Sequence, residues 1–128
     1  MPPLARLPLL LLAMLALVVG VLAGLARLAV EVPALTAAQA GVHGALMIAA
    51  FLGTVISLER AVALARRWPY LAPLCAGLGG LSLLAGVAPD VVQALFVIAA
   101  GVLLAGSVLI LRQQPLLHNA TLALGALC

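Results

Sequence analysis

Charged and turn-forming residues cut this chain into long apolar runs, with prolines, glycines and arginines collected at the breaks. The first run, Leu7 to Ala26, holds twenty residues without a charge. At a helical rise of about 1.5 Å per residue it crosses a hydrocarbon core of about 30 Å once. Arg6, the apolar stretch and Gly24-Leu25-Ala26 imitate a secretory signal, but the stretch is too long for one, so a retained first helix over 7–28 is expected. Pro33 opens the second run. Thr36 and Gln39 have the spacing of a capping box, which predicts a helix over 36–65.

The third helix is predicted over 71–87, with Pro73 in the first turn, where a missing N–H is tolerated. Pro89 and Asp90 close it. Asp90 as N-cap, with Gln93 three residues on, starts a fourth helix over 91–111, which makes helices three and four a tight antiparallel hairpin. Pro115 begins a fifth segment, 115–128, of fourteen residues, about 21 Å of helix. It ends without charge, cap or aromatic anchor, so the expectation is a truncated fifth helix in a fragment of a longer polytopic chain. A half-spanning or interfacial helix is the alternative.

Composition says which solvent these runs are built for. Apolar residues make up 67% of the chain, mean hydropathy is +1.39, and only six basic and three acidic side chains are present among 128 residues. The expected fold is all-α: one polytopic transmembrane helix bundle over 1–128, with four full helices and a truncated or partial fifth, whose partners are the lipid bilayer and other transmembrane helices or a homo-oligomer. Ala72, Ala76 and Gly80, and Gly101 with Ala105, form small-residue stripes suited to close helix approach.

All six basic residues are arginine. With loops assigned alternately to the two sides, Arg6, Arg60, Arg66, Arg67 and Arg112 share the side of the amino terminus, and Arg27 lies opposite with Glu31 and Asp90. The positive-inside rule then puts the amino terminus in the cytoplasm of a bacterial cell, with the chain in the inner membrane, and Trp68 and Tyr70 at a headgroup boundary. The net charge of +3 reports topology; the basic cluster is short and lacks interleaved aromatics, so no nucleic-acid partner is implied.

Cys75 and Cys128 lack metal-ligand or haem-attachment spacing. No GxSxG, HExxH, phosphate loop or paired carboxylates on one helical face occur either, which points away from soluble enzyme chemistry. Chemistry concentrates in the second helix. On a helical wheel His43, Met47, Ala50, Thr54 and Ser57 fall on one face, a polar stripe that lipid would penalise and that should face other helices or a cavity. For His43 three readings stand open: an interhelical hydrogen bond to a carbonyl or hydroxyl; a metal ligand, axial to haem or bound to copper, with Met47 one turn away as a second, soft ligand or as packing; and proton or substrate handling in a transporter. Glu59 lies nearly opposite the stripe and is expected to form an interhelical ion pair with Arg112, with Arg66 as intrahelical fallback, or to serve as a proton-relay carboxylate. His118, in the first turn after Pro115, reads as a solvated or cap-adjacent residue.

The stretch HGALMIAAFLGTVISLERAVAL, residues 43–64, resembles a segment of uncharacterised bacterial multi-pass membrane proteins much longer than this chain. More loosely it is similar to the NnrS family and other histidine-bearing haem-copper membrane proteins, although Ala50 stands where a glycine is expected before Phe51. The resemblance implies haem or copper binding, linked to respiratory or nitrogen-oxide chemistry, with His43 as the carried-over ligand. A small-solute transporter and a non-catalytic structural membrane subunit are the rival expectations. The first should show broken helices or a mid-membrane carboxylate, and the second a His43 buried against a neighbour with no cavity beside it.

Overall fold

The computed structural model describes residues 3–127, and every regular element among them is helical. After a 3-10 turn at Pro3–Arg6, α1 covers Leu7–Arg27 and α2 is a single turn at Ala34–Ala37. α3 is one continuous helical segment over Ala40–Leu64. A 3-10 turn at Trp68–Tyr70 leads into α4, Leu71–Leu84, followed by α5, Pro89–Gln113, and α6, Leu117–Leu127. Three helices, Leu4–Arg27, Ala40–Leu64 and Pro89–Gln113, are long and apolar enough to cross a membrane, whereas the apolar segment Trp68–Leu84 is shorter.

Several boundaries differ from the sequence reading for local reasons. The capping box expected at 36–39 does not form: the Thr36 hydroxyl donates to the Pro33 carbonyl at 2.8 Å, and α2 ends after one turn before the chain re-enters a helix at Ala40. α4 stops at Leu84 because Gly86 takes φ +70°, with its N–H on Leu83 O and the Val87 N–H on Ser82 O. That pair of bonds is the Schellman closure, and glycine supplies the left-handed residue it needs. α1 ends the same way, on Ala29 at φ +58°, with Val30 N–H bonded to Leu25 O. Asp90 is not the N-cap of α5. Pro89 begins that helix with Ala88 as cap, leaving Asp90 in the first turn, where its charge complements the helix dipole.

α3 packs against α1, α4 bridges α1, α3 and α5, and α6 lies on α5. The packing inverts the usual sorting of large and small residues. Nine of the fourteen buried apolar residues are alanine, while large side chains such as Leu11, Val18, Ile48 and Val97 point outward with 56–70% of their surface exposed. Small residues at the seams let backbones approach closely, which is how helices associate when the medium outside is as apolar as leucine. The α4 stripe Ala72, Ala76 and Gly80 is buried as expected, with a Cβ on Gly80 falling 2.6 Å from that of Ala50. On α5 the buried side is Val92, Ala99 and Gly106, at intervals of seven, so Gly101 and Ala105, both exposed, are not its seam.

Candidate functional site

Two glycines on α1 shape the site. Gly20 and Gly24 stand one turn apart, and their missing side chains leave a trough that receives two side chains of α3 at the same spacing. A Cβ on Gly24 would lie 2.7 Å from Cε1 and 3.0 Å from Nδ1 of His43, and one on Gly20 would lie 2.8 Å from Sδ of Met47. The imidazole therefore packs closely against the backbone of α1. Its Nδ1–H donates to the Gly20 carbonyl at 2.7 Å. A carbonyl can only accept, so in the neutral ring Nε2 carries the lone pair. Among the described residues nothing is bonded to it.

The Gly20 carbonyl would ordinarily serve only the helix ladder. Its second lone pair makes it available to a partner on another helix, and α1 has no side chain at Gly20 to shield it. Beside the ring, an open groove of about 470 Å³ is lined by Val21, Gly24, Leu25, Arg27, Leu28 and His43. Its walls are apolar, with one guanidinium from the last turn of α1.

The single polar stripe expected on α3 is divided in two. Residues Leu46–Leu52 form a π-helical stretch, between α-helical His43–Ala45 and Gly53–Leu64. A π turn holds more residues than an α turn and rotates the faces on its two sides relative to each other. His43, just before the stretch, and Met47, in its first turn, are half-buried against α1. Ala50, late in the stretch, and Thr54 and Ser57 after it are buried to 1% exposure or less. The Ser57 hydroxyl donates back to the Gly53 carbonyl, and among the described residues Thr54 Oγ1 has no hydrogen-bond partner.

The structure does not join Glu59 to Arg112. Both are exposed, and among the described residues no ion pair links Glu59 to Arg112 or to Arg66. His118 is exposed at the start of α6, and its neighbour Asn119 does the structural work there, buried to 3% exposure with Nδ2 donating to Gln114 O at 2.9 Å. Among the described residues, no group of three His, Cys, Asp or Glu side chains converges as a metal cage. The glycine pair of α1 is the part of the site not read from the sequence, although GVLAG, residues 20–24, carries the G-x-x-x-G spacing that marks close helix approach.

A family profile described as "Domain of unknown function (DUF8744)" matches residues 6–128. No curated protein and no solved structure matches the chain.

Proposed function

For this chain, which belongs to the DUF8744 family, we propose a membrane-embedded helical protein in which Nε2 of His43 would hold a haem. The observation that carries the reading is the Nδ1–H bond to the Gly20 carbonyl. Metal-bound histidines characteristically donate their other ring N–H to a carbonyl or carboxylate, which sets the tautomer and the ring orientation. The groove beside the ring supports it as well. Its volume, about 470 Å³, falls within the ~300–1,000 Å³ of small-molecule sites.

The donor set favours haem over copper. Copper held by protein alone needs several ligands, and among the described residues no cluster of three His, Cys, Asp or Glu side chains converges. Haem brings four ring nitrogens and takes one imidazole from this chain. Val21, Leu25 and Leu28 would flank the macrocycle, and Arg27 would pair with a carboxylate of the cofactor. When bound, haem would supply ligand or electron chemistry at its iron, with the groove setting access. Met47 is used differently: its thioether is pressed against Gly20, where it fills the trough as packing.

The apolar outer surface and the three membrane-length helices support residence in a bilayer. The segment Trp68–Leu84 completes a fourth crossing in this reading, with α6 a partial fifth. The arginine distribution supports an inner-membrane topology with the amino terminus in the cytoplasm. A structural subunit is the second reading, and the same hydrogen bond favours it, since an interhelical bond holds α1 to α3 whether or not Nε2 binds anything.

The test is the oxidised and reduced visible spectrum of the detergent-purified chain after incubation with haem. The expected result is a Soret band at one haem per chain that His43→Ala abolishes and Met47→Leu retains. A protein that takes up no haem, or one whose band survives His43→Ala, rejects the reading in favour of the structural subunit.

A further inference from the structure

At the opposite end of α1 from His43 lies a larger groove, about 550 Å³, between the start of α1 and the α3–α4 junction. Pro8 and Leu9 form one wall and Leu71 and Leu74 the other, with Arg67 and Trp68 also lining it. The lining thus has two chemistries: aliphatic along its length, and a guanidinium with amphipathic rings from Trp68 and Tyr70. Trp68 is 38% exposed and Arg67 is exposed, so neither is used up by the fold.

Helix packing concentrates positive charge at this end. The groove itself joins the first turns of α1 to Arg67 and α4, and a Cβ placed on Gly106 of α5 would lie 3.1 Å from Leu64 and 4.0 Å from Trp68. By helix order Arg6, Arg60, Arg66, Arg67 and Arg112 fall at this end with the single carboxylate Glu59, while Arg27 falls at the other with Glu31 and Asp90. Among the described residues, no acidic side chain lines the groove.

We infer that this groove binds an anionic phospholipid, with an acyl chain along Leu9, Leu71 and Leu74 and the phosphate at Arg67. A free apolar ligand would leave the guanidinium without a partner, and a soluble anion would leave the aliphatic walls unused. A phospholipid satisfies both along one axis. In a bilayer, Trp68 and Tyr70 beside Arg67 would suit the headgroup boundary, where aromatic rings are enriched. Basic pockets between helices at a membrane face are a recurrent form of headgroup recognition. The inference rests on residence in a bilayer and is independent of what His43 binds.

Trp68 is the only tryptophan in the chain, so it reports on the groove without labelling. The experiment reconstitutes the full chain into phosphatidylcholine vesicles and titrates in phosphatidylglycerol with brominated acyl chains, reading quenching of Trp68 fluorescence. Brominated phosphatidylcholine is the control. The expected result is half-maximal quenching at about fivefold lower mole fraction for the anionic lipid, the contribution of about one arginine at an anionic surface. Arg67→Gln should erase that preference while helical circular dichroism is unchanged, and Leu74→Phe, which narrows the groove, should weaken quenching by the anionic lipid with the charge intact. Equal quenching by both lipids, or a preference that survives Arg67→Gln, overturns the lipid site. Quenching by neither lipid overturns membrane residence itself.

Discussion

Nδ1 of His43 is committed to a carbonyl on α1, and that commitment makes Nε2 the nitrogen left for chemistry. The histidine was legible as a site residue because imidazole in an apolar run is rare and costly. Its partner was not, since a backbone carbonyl carries no mark in a sequence. Two alanines show a second residue-scale effect. Ala29 and Ala65 hold left-handed backbone at φ +58° and +52°, where a Cβ is unfavourable and glycine is the usual choice. Ala29→Gly is expected to stabilise the chain by about 0.5 to 1 kcal/mol, net of the extra freedom glycine gives the unfolded state. Thermal unfolding in detergent measures it; an unchanged or lowered midpoint would mean that the α1 cap is not under strain.

The same contrast between visible and hidden features runs through the elements. Apolar runs bounded by arginine and proline located the helices to within a few residues, because a charge or a missing N–H ends an apolar helix by its own chemistry. The π stretch Leu46–Leu52 was not legible. Its residues make an unremarkable apolar helix on paper, while the structure presents contacts from two sides: Gly20 and Gly24 of α1 on His43 and Met47, and Gly80 of α4 on Ala50. An extra residue in the π turn lets His43 and Met47 meet α1 while Ala50 meets α4. The glycine pair on α1 yields a graded prediction. Gly24→Ala drives a methyl into the imidazole and breaks its bond to Gly20, which should cost about 1 to 3 kcal/mol and the haem site. Gly20→Ala meets the flexible end of Met47, which can turn aside, and should cost less than half as much. Unfolding midpoints and haem occupancy of the two variants separate them, and equal effects would mean that the trough is not specific to the ring.

At the scale of the whole molecule, alanine supplies most of the buried apolar residues, while many leucines and valines face outward. That sorting, together with three helices long and apolar enough to cross a membrane, supports the proposed residence in an apolar medium. Charge then divides the molecule by end, with arginines around the Trp68 groove and the His43 groove at the other pole. Long-range placement of this kind was partly legible, because alternating helices assign loops to sides by counting. The Glu59 to Arg112 pair failed on the same logic: a shared depth does not bring two exposed side chains on different helices together. The central claim, one ring nitrogen for the fold and the other for haem, is tested most directly by His43→Asn set beside His43→Ala. Asparagine keeps an N–H where Nδ1 stood and has nothing in place of Nε2. The account predicts that His43→Asn retains the wild-type unfolding midpoint and loses the Soret band, while His43→Ala loses the band and about 0.6 kcal/mol of stability, the average for an interhelical hydrogen bond in a membrane protein. A His43→Asn protein that still binds haem as the wild type does would contradict it.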